Sequence, residues 1–173
     1  MSRSALTERA WLALVGAAGA GKSAVAQELA ARWECPVLDT DAIYAQQHGQ
    51  EVAEAIIDDE AGFRAVEEGL VLEALRTPGA VVAVGSGATS DPVLQELRGS
   101  PVVWLEVGLA DAARRTGLSG MRPLALGNVR AQLHQMLQER ATVYASVADL
   151  QVGTDGRTVA EVADQIQEWE AAR

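Results

Sequence analysis

An α/β fold, with one parallel sheet covered by helices on both faces, is predicted by three observations. Five short apolar runs recur along the chain, at 11–15, 36–38, 80–84, 101–105 and 150–152. The longer ones carry no alternating polar residue, as expected of strands buried on both faces. Stretches of helical periodicity separate them, which is the order of a parallel α/β sheet. A glycine-rich loop joins the first run to the first helix.

The elements follow in order. Residues 11–15 read as a buried strand ending in Gly16. The loop Gly16-Ala17-Ala18-Gly19-Ala20-Gly21-Lys22-Ser23 fits G-x-x-x-x-G-K-[ST], the phosphate-binding loop. A helix over about 21–33 follows, with Val25 and Leu29 at helical spacing. The strand 36–38 ends at Asp39 and completes a βαβ unit. Short helices are expected over about 42–47 and 51–57. A longer one over about 61–76 is stopped by Thr77-Pro78-Gly79. The strand 80–84 runs into Gly85-Ser86-Gly87, and Asp91-Pro92 opens a helix. After the strand 101–105, a helix from about 109 leads into Thr116-Gly117-Leu118-Ser119-Gly120, which reads as a mobile loop. Asn128 is expected to cap a long helix reaching about 147. After the short strand 150–152, Val159, Val162, Ile166 and Trp169 mark an amphipathic last helix. No internal repeat, low-complexity tract or linker interrupts this order, so a single domain over 1–173 is expected.

Composition narrows the function. The net charge is −10, which disfavours a nucleic-acid surface. An anionic ligand must then be held by a local arginine cluster. Cys35 stands alone and the histidines, His48 and His134, are far apart, which argues against a disulfide or a zinc site. Arg3 and Arg9 before an apolar stretch superficially resemble a signal peptide, but cleavage at its end would destroy the phosphate loop. No apolar run reaches the roughly 20 residues that span a bilayer. A cytoplasmic protein without membrane or nucleic-acid partners is expected.

Lys22 is the only lysine; the other 13 basic side chains are arginine. A lysine kept at this one position suggests that a compact ammonium must reach between phosphates, where the planar arginine fork fits poorly. The loop glycines turn backbone N–H groups inward, and the following helix presents its positive end. Ser23 offers a hydroxyl to Mg²⁺. Magnesium also takes a carboxylate, directly or through water. Asp39, at the carboxyl end of its strand, is the preferred candidate, with Glu106 a displaced one. Asp41 shares a face with Asp39 in extended chain and is assigned to an acceptor hydroxyl, unless it serves only as a helix cap. Arg140 falls inside the apolar stripe of Val129, Leu133, Met136, Leu137 and Tyr144. It either meets an anion there or snorkels at the stripe's edge. Arg64 follows Phe63 near a helix start, where by itself it reads as an exposed surface charge. Arg122 follows the glycine-rich loop, from which it could close over a transferring phosphate.

Together these residues resemble the shikimate kinases, small kinases of the P-loop class. The resemblance rests on residues 16–23, Leu38-Asp39-Thr40-Asp41, Phe63-Arg64 with Glu67, the turn after the third strand, Arg122-Pro123-Leu124, and Arg140 with Tyr144. It implies a three-layer P-loop kinase fold with a five-stranded parallel sheet of order 2-3-1-4-5. The activity implied is transfer of the γ-phosphate of ATP, with Mg²⁺, to a hydroxyl of shikimate. Lys22, Asp41 and Arg122 would be catalytic, and Ser23 and Asp39 would serve the metal. Gly16, Gly19, Ala20, Gly21, Lys22, Ser23, Ala24, Arg115, Arg122 and Arg157 would bind the nucleotide, with Arg115 stacking near adenine. The substrate would meet Asp41, Arg64, Gly85, Ser86, Gly87 and Arg140, with Arg64 and Arg140 gripping its carboxylate. The implied substrate-binding segment covers about 41–76 and the lid about 116–127; a monomer is expected.

Departures fall on the acceptor side. Ser86 interrupts a turn that is usually three glycines, and carries a strain cost if that position needs a positive φ. Tyr44-Ala45 replaces a usual Ile-Glu. The segment 51–63 is one residue short, without the usual Gly-Glu pair and with Ile56 at a commonly aromatic place. These departures keep two alternatives open: a paralogous kinase of another small hydroxy or sugar acid, and a nucleotide-binding module with little transfer activity.

Overall fold

The computed structural model describes residues 9–117 and 123–173, without the side chains of 123–130. The strands are β1 (Leu12–Val15), β2 (Val37–Asp39), β3 (Val81–Ala83), β4 (Val102–Glu106) and β5 (Leu150–Gly153). The helices are α1 (Lys22–Trp33), α2 (Thr40–His48), α3 (Val52–Leu75), α4 (Asp91–Leu97), α5 (Leu109–Arg115), α6 (Pro123–Ala145) and α7 (Val159–Ala171). The five strands form one sheet of order β2-β3-β1-β4-β5, and every pairing is parallel. The predicted fold class and strand order both hold.

The uninterrupted apolar runs are explained by two cores, one on each face. Along β1, Leu12 and Leu14 face a core shared with Val25 and Leu29 of α1 and with Val162 and Ile166 of α7. Ala13 and Val15 face the opposite core, with Val71 and Leu75 of α3, Val93 and Leu97 of α4 and Tyr144 of α6. Strand side chains alternate, so both halves of the alternation must be apolar when both faces are covered. A third, small cluster of Tyr44, Ala55 and Phe63 joins α2 to α3. There the Phe63 ring meets Tyr44 edge-on at 4.9 Å, a favoured aromatic geometry.

Helix ends show where local chemistry sets the boundaries. Asp39 caps α2: its Oδ1 accepts the N–H groups of Asp41 at 3.1 Å and Ala42 at 3.2 Å. Thr158 and Glu161 form a reciprocal capping box at the start of α7. The two helices expected over 51–57 and 61–76 are one element with a break at Asp59 (φ −154°, ψ 86°). The Asp59 carboxylate accepts the Gly62 N–H at 3.0 Å, so it caps the second half from within. The last long helix differs from expectation. It begins at Pro123, so Asn128 lies inside it rather than at its cap. Proline fits a first helical position because its missing N–H has no partner to lose. The expected lid of 116–127 is accordingly helical over 123–127, and its remaining core, 118–122, lies outside the described residues.

Candidate active site

The carboxyl ends of β1, β2 and β3 converge on one cavity of about 360 Å³. Its walls include Gly19, Gly21, Lys22, Ser23 and Ala24 from the phosphate loop, Asp39 and Asp41 from the end of β2, and Ser86 from the turn after β3. Parallel strands all point their carboxyl ends the same way, which is why residues remote in sequence gather here.

The loop itself is built by glycine conformations. Gly16, Gly19 and Gly21 have φ of 152°, 81° and 90°, values that L-residues with a side chain rarely adopt. At Gly16 space is also short, since a Cβ there would lie 2.5 Å from the Leu105 carbonyl oxygen. Gly21 occupies the N-cap of α1, and no side chain caps that end. The first N–H groups of α1 therefore remain available to an anion. Lys22 donates to the carbonyls of Gly16 at 2.8 Å and Ala17 at 3.2 Å, using two of its three N–H donors. Burial lowers its pKa to about 8, while Asp41 and then Asp39 work to keep the charge.

Asp41 projects from the first turn of α2. Burial raises its pKa above the ordinary 3.8, Lys22 opposes that rise, and Asp39 adds to it. Asp39 caps α2, so Asp41 does not serve as that cap. Asp39 caps through Oδ1 alone. With Ser23 on the same cavity, its second oxygen fits a magnesium ion held by one carboxylate, one hydroxyl, phosphates and water. Glu106, the displaced candidate, instead accepts a bond from Gln151 at 2.8 Å.

Beyond Asp41, four side chains surround the Gly85–Gly87 turn. Glu67 is 4% exposed and accepts from Arg64 at 2.7 Å. Burial raises its pKa, against the pull of that bond. A Cβ at Gly85 would lie 2.5 Å from the Glu67 Oε1 and 2.8 Å from the Asp41 Oδ1. A Cβ at Gly87 would collide with the Arg64 guanidinium. Arg140 stands beside the Tyr144 hydroxyl, and its charge acts on Glu67 and Lys22. Tyr144 in turn donates to the Ser86 carbonyl at 2.6 Å. Arg64 is thus partly buried and paired rather than a surface charge. Ser86 is not strained: among the described residues Glu34 alone, of the non-glycine residues, has a positive φ.

The other expected nucleotide residues are spread more widely. Ala20 is buried beneath the loop. Arg115 donates to the Gly19 carbonyl at 3.1 Å and the Thr154 carbonyl at 3.0 Å, bridging the phosphate loop to the segment after β5. Arg157 holds the corner between β5 and α7, through the carbonyls of Gly153 and Glu161 and the side chain of Gln165. Arg122 lies outside the described residues. Among the described residues no helix is long and apolar enough to cross a membrane.

Known proteins resemble this arrangement closely. The family model for shikimate kinase matches residues 18–170. The shikimate kinase of Thermobifida fusca is 43% identical over 163 residues, covering 93% of this chain and 95% of that one. That of Salinispora tropica is 41% identical, covering 88% and 93%. Among solved structures, the shikimate kinase of Acinetobacter baumannii in complex with shikimate superposes with a TM-score of 0.86 at 26% identity, covering 98% of this chain and 95% of that one.

Proposed function

Because this chain belongs to the shikimate kinase family, we propose that it transfers the γ-phosphoryl group of ATP to a hydroxyl of shikimate. The observation that carries the reading is the continuity of two half-sites. The phosphate loop and the Asp41 carboxylate line one cavity, and Asp41 also borders the turn enclosed by Glu67, Arg64 and Tyr144. A protein that only held nucleotide would have no use for the second half.

In this reading the N–H groups at the start of α1 and the Lys22 ammonium hold the phosphates and offset the charge that spreads over the transferring group. Asp41 orients the acceptor hydroxyl and takes its proton as the phosphorus–oxygen bond forms and ADP departs. Its raised pKa makes it a better base than a solvated aspartate. Arg64 and Arg140 grip the substrate carboxylate, each charge-assisted bond contributing about 1.5–3 kcal/mol. Glu67 holds Arg64 in place. Magnesium on Ser23 and Asp39 would supply charge neutralisation and align the phosphates. Arg122 is assigned to the phosphates from the lid, and Arg115 to the adenine side of the loop. An ATP-dependent enzyme of this kind belongs in the cytoplasm, and nothing in the proposed chemistry needs a second subunit.

The Ser86 geometry removes the strain argument for a different acceptor, since serine occupies the turn with an ordinary φ. The deciding measurement is ADP release in a coupled assay, with shikimate and with a panel of hydroxy and sugar acids. Turnover that depends on shikimate is expected. Turnover with another acid but none with shikimate overturns the acceptor assignment; binding of ATP without turnover on any acid overturns the kinase.

A further inference from the structure

The backbone ladder between β2 and β3 ends at the pair Asp39 and Ala83. One residue later the chain leaves the sheet to begin α2, so the backbone of Thr40 can no longer pair with the strand beside it. Beyond β3, Val84 still donates its N–H to the Leu14 carbonyl of β1 at 3.0 Å, and the Gly85–Gly87 turn comes next. A buried N–H at Gly85 therefore needs a partner that the sheet does not supply. Thr40 supplies it from its side chain: its Oγ1 accepts the Gly85 N–H at 2.9 Å and donates to the Ala83 carbonyl at 3.4 Å. Thr40 is 2% exposed, so water cannot replace the hydroxyl. On the other side of the turn, the Tyr144 hydroxyl donates to the Ser86 carbonyl at 2.6 Å. Burial raises the Tyr144 pKa to about 12, and this donor keeps its proton at every working pH.

We propose that Thr40 and Tyr144 are positioning residues that clamp the Gly85–Gly87 turn from opposite sides and thereby fix its distance from the Asp41 carboxylate. Thr40 adjoins Asp41 in sequence, so one residue ties the proposed base to the turn that borders it. Tyr144 ties the same turn to α6, four residues from Arg140. Each hydroxyl gives its single proton to a backbone carbonyl, so neither can donate to a substrate while it holds the turn. The clamp itself follows from the hydrogen bonds; its effect on the acceptor rests on the proposed kinase reading.

The test compares Thr40→Val, which keeps the shape and loses the hydroxyl, with Thr40→Ser, which keeps the hydroxyl. Amide hydrogen exchange measured by NMR, without substrates, reads the clamp alone. Faster exchange at Gly85 is expected in Thr40→Val, with slow exchange kept in Thr40→Ser and at the amides of β1 in both. Steady-state kinetics read the consequence: about a tenfold rise in the shikimate KM in Thr40→Val, an unchanged ATP KM, and rescue by Thr40→Ser. Tyr144→Phe is expected to raise the shikimate KM in the same selective way. Unchanged Gly85 exchange in Thr40→Val overturns the clamp, as do equal shifts of both KM values or identical behaviour of the two Thr40 variants. If the unmodified chain does not turn over shikimate, the kinase reading fails while the exchange experiment still decides the clamp. A loss of melting temperature in Thr40→Val with normal Gly85 exchange assigns Thr40 to packing only and also overturns it.

Discussion

At the scale of single residues, Arg64 and Arg140 have different structural obligations although both are assigned to the same carboxylate. Arg64 is the hydrogen-bond partner of Glu67, which is nearly inaccessible to solvent. Arg140 stands near Tyr144 and acts on Glu67 only through its charge. Arg64→Ala leaves a buried carboxylate unpartnered, so a stability loss of about 1.5–3 kcal/mol is expected in urea unfolding, along with weaker acceptor binding. Arg140→Ala is expected to raise the acceptor KM far more than the ATP KM, with little loss of stability. Equal changes in both KM values for Arg140→Ala would sink its assignment to the substrate carboxylate. The inward position of Arg140 was legible from its place in an apolar stripe. The burial of Arg64 was not: its pairing with Glu67 is an i,i+3 contact within α3, but Gly87 reaches it only once α3 packs beside the turn.

At the scale of elements, propensity and punctuation located every strand to within a residue or two. The stop at Thr77-Pro78-Gly79 ended α3 where expected, since the backbone constraints of proline and glycine act locally. The long helices were harder. Asp59 interrupts α3 while capping its second half through the Gly62 N–H, and a carboxylate that both breaks and restarts a helix leaves an ambiguous pattern. Asp59→Ala is expected to cost about 0.5–2 kcal/mol, the usual range for a lost N-cap, with the ATP KM unchanged. A stability equal to that of the original chain in chemical denaturation would show that the break needs no cap. Asn128 illustrates the opposite error. An asparagine is a good cap in general, yet Pro123 already starts α6, and a helix continues through a cap-forming residue when its flanks remain helical.

For the molecule as a whole, the cost of the site appears in the pH dependence of stability. Lys22 has a folded pKa of about 8 against an unfolded value of 10.5. Between those values the unfolded chain binds more protons, so stability rises with pH. The burial cost is fully present below pH 8 and is relieved as the ammonium loses its proton. For a side chain with some solvent access the gain is on the order of 2 kcal/mol. Urea unfolding at pH 7 and pH 9.5 should show a rise in the original chain that is absent in Lys22→Met; equal pH profiles would contradict the assignment. The upper limit stays below pH 10 because Tyr144, with its raised pKa, contributes the opposite slope above that.

The sequence by itself determined the α/β architecture and the phosphate loop, because each is written in neighbouring residues or in a period of two or 3.6; Asp39 and Asp41 line one cavity as expected, but Asp41 does so from the first turn of α2 rather than from extended chain. Tertiary structure decided how those pieces form a site. The bond from Gly85 to the Thr40 hydroxyl, the bond from Tyr144 to the Ser86 carbonyl and the seat of the Arg64 guanidinium against Gly87 join residues through space. The bond to Thr40 spans 45 residues. Such contacts depend on where packed helices bring side chains relative to the sheet's carboxyl edge, and no local pattern of residues encodes that distance.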